Sequence, residues 1–335
     1  MTSTPSNYLP DPKQLGIVAV GFSLGQGKIG VDAAPKALIE AGLFTQLSDD
    51  LDFTIHHDGK VHDYCSVIPS SDPPLHIAGG KAPMLNPRTV SNVTREISKQ
   101  VYTQAAAGRL VLTLGGDHSI AVGTVSGIHK AVTERTGQEP YVIWVDAHAD
   151  INTPIVSGSG NIHGMPLAFL TNLASAPKED PEVFGWLENT HKIDPKKLVY
   201  IGLRDVDKAE KKILREHGIK AFSMHDVDRW GIGRVMDMVM EYVGNAPIHL
   251  SFDVDALDPL WAPSTGTPVR GGLTLREGDF ICECVHASGN LVAMDLVEVN
   301  PHIEGEPQIV QGLGAQETVR AGCSLVRCAL GESLL

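Results

Sequence analysis

The run Asp146-Ala147-His148-Ala149-Asp150 sets two carboxylates and an imidazole at alternate positions. In an extended segment alternate side chains share a face, so the spacing predicts that all three point the same way. Asp253-Val254-Asp255 repeats the pattern, and His118 follows a Gly115-Gly116 pair that lets the backbone turn sharply. Aspartates gathered in one place repel: two unit charges 4 Å apart interact by about 4 kcal/mol at an effective dielectric of 20. They must take up protons or bind cations. One or two divalent ions with bridging carboxylates remove the repulsion. An oxygen-rich set with some imidazole favours Mn2+ over Zn2+, although raw affinity excludes neither Zn2+, Co2+ nor Ni2+. A lone Asp-x-Asp at a strand end is ordinarily turn or capping chemistry. Three such features, each after a strand, argue for ligation.

These residues need elements to hold them. Apolar runs of strand length occur at Gly16–Gly21, Leu110–Leu114, Val142–Val145, Leu198–Ile201, Ile248–Phe252 and Leu291–Val297. Helix-like stretches lie between, among them Thr89–Ala107, Asp207–His217 and Ile232–Val243. Continuous apolar strands alternating with helices predict a parallel sheet covered on both faces. Open α/β sheets bind ligands beyond the carboxyl ends of their strands. Those ends read Gly115-Gly116-Asp117-His118, then Asp146–Asp150, then Asp253–Asp255, then Glu298. No internal repeat or linker is visible between Gly16 and Gly331. Residues 15–335 therefore read as one domain, preceded by a loose Pro/Ser-rich tail over 1–14. The Pro-, Gly- and Ser-rich stretch 65–88 reads as a surface loop.

With 335 residues, 42% of them hydrophobic, the chain can bury a large core. Lys and Arg number 27 against 40 Asp and Glu, a net charge of -13. Such a surface repels nucleic acid and anionic membranes, and neither is expected as a partner. No apolar run reaches the roughly 18 residues of a membrane span. The opening segment carries neither a secretory pattern nor the arginines of a mitochondrial presequence. Cys65, Cys282, Cys284, Cys323 and Cys328 form no CxxC and read as buried or inert thiols of a cytoplasmic protein.

Three motifs occur in order: Gly115-Gly116-Asp117-His118-Ser119, Asp146–Asp150, and Ser251-Phe252-Asp253-Val254-Asp255-Ala256-Leu257-Asp258-Pro259. They resemble those of the arginase/agmatinase family of ureohydrolases, and the likeness runs from about Gly16 to the end of the chain. The resemblance implies a three-layer α/β/α sandwich with a central parallel sheet. It implies two Mn2+ per subunit, one held by His118, Asp146, Asp150 and Asp253, the other by His148, Asp146, Asp253 and Asp255. Asp146 and Asp253 would bridge. Asp117 would support a ligand from behind, and Asp258-Pro259 would be turn chemistry.

The loops Ile151–Pro154, Ser159–Gly164 and Gly202–Asp207 look like those of the arginine-hydrolysing branch rather than the agmatine-hydrolysing one. By that likeness Asn152 and Ser159 hold an α-carboxylate, Asp207 the α-ammonium and Glu298 the guanidinium. A carboxylate can accept two parallel hydrogen bonds from a guanidinium, which fixes orientation as well as charge. The implied reaction is hydrolysis of L-arginine to L-ornithine and urea by a metal-bridging hydroxide. Asp150 would accept or relay a proton, and His163 would be the general acid or proton shuttle. Agmatinase, or another guanidino-compound hydrolase of the family, is the alternative. The family forms trimers and hexamers, so a homo-oligomer is expected, with Arg276, Glu277 and Arg327 as interface charges.

Gly25-Gln26-Gly27-Lys28-Ile29-Gly30 is a literal GxGxxG after a strand, which alone suggests a dinucleotide site. There the helix opens within the glycines and turns its N-terminus to the pyrophosphate. Here Pro35 suits a first helical turn, so the helix is expected to begin near Asp32 or Ala33, past the glycines. The loop's glycines are then structural or near the substrate.

Overall fold

The computed structural model describes residues 6–303 and 314–332. Eight strands form one sheet: β1 Gln14–Ala19, β2 Thr54–His56, β3 Leu110–Leu114, β4 Tyr141–Val145, β5 Leu198–Leu203, β6 Lys220–Ser223, β7 Ile248–Asp253 and β8 Leu291–Val297. Their order is β2-β1-β3-β8-β7-β4-β5-β6, and every pairing is parallel. β3, β5, β7 and β8 are buried at every position, as strands covered on two faces must be, although β7 carries His249, Ser251 and Asp253 and β8 carries Asp295. The two edge strands carry no such signal. Thr54-Ile55-His56 and Lys220-Ala221-Phe222-Ser223 are short, polar and partly exposed, as protected edges are.

Helices cover both faces, giving the three-layer α/β/α sandwich. The main ones are α1 Ala34–Glu40, α2 Pro87–Ala106, α3 Ala121–Thr136, α4 Lys208–Glu216, α5 Met224–Val243, α6 Leu275–Ala287 and α7 Ala315–Ala329. α2 packs on α3, while α7 packs between α1 and α6. The first of these contacts is close because α3 carries Gly123 and Gly127, where a Cβ would strike the Thr94 and Ser98 carbonyls of α2. α5 is broken at Gly231, whose φ of 72° and ψ of 154° are not helical, so its second half starts at Ile232 as the sequence pattern predicts. Past the glycine-rich loop, a 3-10 turn over Val31–Ala33 leads into α1 with Pro35 in its first turn. The helix thus starts beyond the glycines.

One expectation about the fold needs correction. The segment before β1 is not loose where it is described. Asn7 donates its backbone N–H to Gly289 O at 2.9 Å and its amide to Asn290 Oδ1 at 2.7 Å. Arg135 donates to Tyr8 O at 2.6 Å, and Leu9 is buried. Cys65 is exposed, and Asp63 beside it raises its thiol above the usual range, which keeps it protonated and matches the inert alternative. The charges expected at an interface also have partners within the chain. Arg276 forks onto Glu283 at 2.9 and 2.7 Å, Glu277 caps α6 through Thr274, and Arg327 pairs with Glu332. Among the described residues, no helix is long and apolar enough to cross a membrane.

Candidate metal centre and substrate pocket

The four motifs follow β3, β4, β7 and β8, which are neighbours in the sheet although 180 residues separate His118 from Glu298. Adjacent strands lie about 4.8 Å apart, so the four carboxyl ends span about 14 Å. Local turns then draw the side chains inward. Asp146 Oδ1 accepts from His148 N at 2.7 Å, Asp253 Oδ1 from Asp255 N at 2.8 Å and Asp117 Oδ1 from Ser119 N at 2.9 Å. Each is an Asx turn, closed by one carboxylate oxygen. The expectation of an extended Asp146–Asp150 is therefore wrong. β4 ends at Val145, the chain bends, and Asp150 takes a left-handed φ of 48°. Convergence comes from bending rather than from strand alternation. Tyr200 pins the bend by donating to Ala149 O at 2.6 Å.

The second oxygens of Asp146 and Asp253 face His118. His118 Nδ1 lies 3.2 Å from Asp146 Oδ2, 3.3 Å from Asp150 Oδ2 and 3.1 Å from Asp253 Oδ2. His148 Nδ1 lies 3.4 Å from Asp146 Oδ1 and 3.1 Å from Asp255 Oδ2. Two clusters result, His118-Asp146-Asp150 and Asp146-His148-Asp255, and within each the ligand atoms lie within 4.8 Å of one another. They share Asp146, and Asp253 adjoins the first. Burial raises Asp253 well above the ordinary carboxylate value and raises Asp255, with neighbouring aspartates adding to both; the same causes lift Asp150 to about 6. Asp146 is held low despite its burial, because His118 and His148 both face it. Burial opposes charge on His118 too, yet three carboxylates hold its imidazole well above the usual value.

This donor set fits a metal pair. An octahedral ion with ligands about 2.1 Å away separates neighbouring ligand atoms by about 3 Å. That is the spacing found around His118 Nδ1. The other nitrogen of His118 is held by Ser251 Oγ at 2.9 Å, and its ring stacks on Trp144 with centroids 3.8 Å apart. Trp144 also donates to Asp146 Oδ2 at 2.8 Å, and Thr267 to Asp255 Oδ2 at 2.9 Å. Such partners fix ligand orientation before any ion arrives.

Glu298 occupies the floor beside the nest. It is buried, with a left-handed φ of 63°, a strained conformation that the surroundings must enforce. Its Oε1 accepts from His118 N at 2.9 Å and lies 3.4 Å from His163 Nδ1; its Oε2 accepts from Gln26 Nε2 at 2.6 Å. Burial works against its charge, but His163 and the donors keep it below the usual glutamate value. In return Glu298 holds His163 up at about 9 against the cost of burial.

Further out, Asn152 Nδ2 donates to Asp207 Oδ2 at 2.9 Å, and Asp207 caps α4 in a reciprocal box with Glu210. Glu210 also accepts from Ile151 N at 3.1 Å, so one buried carboxylate ties the two loops together. Ser159 is not gathered with them. It is exposed and accepts only from Asn161 N, at 3.3 Å, among the described residues.

Sequence reasoning passes over Gln26, Trp144, Ser251 and Arg204. The half-buried Arg204 donates to carbonyls of Gly202, Asp255, Ala256, Leu257 and Val269 at 2.6 to 3.3 Å. It stands beside Asp205 in the loop after β5, and only three dimensions show that it faces the metal loop after β7. For Gln26 a signal was present: it sits in the glycine-rich loop, where close backbone approach is expected.

A parallel α/β/α sandwich with paired His/Asp clusters at the carboxyl ends of its central strands defines a metal-binding hydrolase. The chain belongs to the arginase family, whose model matches residues 13–331. It is 67% identical over 331 residues to the arginase of Neurospora crassa, covering 98% of this chain and 89% of that one. Among solved structures it resembles Bacillus subtilis arginase at 32% identity and a TM-score of 0.79, covering 96% of this chain and 100% of the other. Entamoeba histolytica arginase, solved with L-ornithine, matches at 29% identity and a TM-score of 0.78, covering 96% and 99%.

Proposed function

We propose that the protein hydrolyses L-arginine to L-ornithine and urea with two Mn2+ per subunit. Family membership and the paired His/Asp clusters support the reaction and a metal pair. The oxygen-rich donor set supports manganese. His118, Asp146, Asp150 and Asp253 would hold one ion, and His148, Asp146, Asp253 and Asp255 the other. Bound there, the pair lowers the pKa of water and so supplies hydroxide near neutral pH.

The observation that carries the reading is Glu298, a buried carboxylate kept ionised beside the metal nest. A guanidinium is its natural counter-ion, and two parallel hydrogen bonds would present the central carbon to the nest. His163, 3.4 Å from Glu298 Oε1, would protonate the departing amine. Asp150, one of the four residues that would hold the first ion, would accept or relay a proton from the attacking water. The Asn152–Asp207 pair supplies an amide and a carboxylate at the outer end, which suits the α-carboxylate and α-ammonium of an amino acid. Ser159 would join Asn152 on the α-carboxylate. Agmatine has no α-carboxylate, so that hydrolysis is the weaker reading. We further read residues 15–335 as one catalytic unit of a homo-oligomer, a trimer or hexamer, in the reducing cytoplasm that its free thiols suit.

Urea release from L-arginine and from agmatine, measured with Mn2+ and after chelation, tests the reading. Manganese-dependent turnover of arginine alone is the expected result. Turnover of agmatine would overturn the roles of Asn152, Ser159 and Asp207. Urea from neither, with manganese bound, would overturn the reaction.

A further inference from the structure

The glycine-rich loop Gly25–Gly30 is not used by the reaction as described, yet it reaches the buried floor of the site. Its first residues are bound from two sides. Gly25 N donates to Asp117 Oδ2 at 2.8 Å, and His163 N donates to Gly25 O at 3.0 Å. Position 25 must be glycine, because a Cβ there would strike Ser119 Oγ and Asp117 Oδ1. This seating delivers Gln26, which is buried, to Glu298 Oε2 at 2.6 Å. A carboxylate can only accept, so the amide must face it with its NH2. Oε1 is thereby turned away, and among the described residues it accepts no hydrogen bond. Gly266 leaves the room for it: a Cβ there would stand 2.7 Å from Gln26 Oε1 and 3.4 Å from Glu298 Oε2.

We propose that Gln26 is a second arm of guanidinium recognition, its NH2 orienting Glu298 and its Oε1 accepting a further guanidinium N–H. The proposal deepens the reading of the site as one for a guanidino substrate and rests on it. A guanidinium offers more donors than one carboxylate can accept, and a neutral acceptor beside Glu298 takes one more without adding charge to a crowded anionic site. The two terminal nitrogens leave together in urea, so an N–H held by Gln26 is held in the ground state and the transition state alike. Uniform binding of that kind moves KM and leaves kcat.

The test compares Gln26→Ala and Gly266→Ala with the wild-type manganese-loaded protein. Removing one hydrogen bond to a charged group should raise KM for L-arginine about 10- to 100-fold, with kcat changed less than about threefold. Binding of guanidinium ion alone, followed by its NMR line broadening, should weaken by a similar factor without any turnover. L-ornithine lacks the guanidinium, so its inhibition constant should stay within about twofold. Gly266→Ala should act by displacing Gln26 Oε1, and its effect should vanish in the Gln26→Ala background.

Unchanged arginine KM and guanidinium affinity in Gln26→Ala would overturn the proposal. So would a parallel loss of ornithine binding, which would mean that the loop had merely collapsed. The binding arm separates this inference from the activity. A wild-type protein that binds guanidinium through Gln26 but releases no urea would keep the contact and refute only the reaction.

Discussion

Arg204→Leu is the most informative substitution away from the reacting groups. The guanidinium gathers three stretches of backbone: Gly202, the turn Asp255–Leu257 and Val269. Two of its contacts, to Asp255 O at 2.6 Å and Val269 O at 2.7 Å, are short charge-assisted bonds. Gly272 packs against the same head group, where a Cβ would lie 2.5 Å from Arg204 Nη2 and 2.8 Å from Ala256 O. Leucine would withdraw the guanidinium from five carbonyls, of which Ala256 O keeps the Leu273 N–H. Hydrogen bonds to charged groups contribute about 1.5–3 kcal/mol each and do not add, so a loss of about 3–5 kcal/mol is expected. At about 3 kcal/mol per molar, the urea midpoint should fall by about 1 to 1.7 M. The turn carries Asp255, so manganese affinity should fall with stability. Arg204→Lys should recover only part, because an ammonium has three donors and no fork. The assay is urea unfolding with manganese and after chelation, together with manganese titration against a competing chelator. A wild-type midpoint and wild-type manganese affinity in Arg204→Leu would refute the idea that this residue clamps the metal loop.

Other outcomes follow from the same geometry. His163→Ala should lower kcat by about 10²–10⁴-fold, the usual scale of general acid–base help, while manganese titration stays unchanged. Because Glu298 holds His163 above its ordinary 6.5, at about 9, their contact stabilises fully below 6.5 and is lost as pH rises through 9. Unfolding of chelated protein should thus show His163→Asn less stable than wild type at pH 6 and converging with it above about pH 10. Asp150 is a carboxyl raised from 3.8 to about 6, so chelated protein should lose stability as pH rises across that window. Manganese at about a thousand times its dissociation constant should restore about 4 kcal/mol per ion, read as a shift in melting temperature. Asn152→Ala and Asp207→Ala should raise KM for L-arginine and leave guanidinium binding intact, as judged by the same NMR titration.

The central strands were legible because burial on two faces writes itself as mostly apolar sequence. Leu110–Leu114 and Leu291–Val297 appear in the structure with the bounds read from sequence. β2 and β6 were not legible. An edge strand needs only one neighbour, so Thr54–His56 and Lys220–Ser223 carry no periodic signal. The tail before β1 was misread for a related reason. Its hold on Gly289, Asn290 and Arg135 depends on residues far along the chain, and composition cannot report that. The same holds for Arg204, held to the loop after β7, and for Trp144, stacked on His118 from the loop after β3, since neither strand is a sheet neighbour of the one that carries the residue.

The metal motifs show why their signal was strong yet wrongly explained. Strand alternation predicted that Asp146, His148 and Asp150 face one way, and they do meet, but through a bend. An Asx turn uses one carboxylate oxygen to close on the N–H two residues ahead, which leaves the other oxygen to face His118. Asp146 and Asp253 therefore shape the loop and face the nest with the same side chain. Turn chemistry and ligation, set against each other when the sequence is read alone, are two halves of one device. This dual use gives Asp253→Asn a distinctive expected outcome. The amide keeps an oxygen for the Asp255 N–H, so the turn should survive and circular dichroism should stay native. The oxygen facing His118 becomes a donor, so the high imidazole pKa should drop and manganese binding should weaken by at least about tenfold. An Asp253→Asn protein that unfolds, or one that binds manganese like the wild type, would show that the two roles do not reside in separate oxygens of this carboxylate.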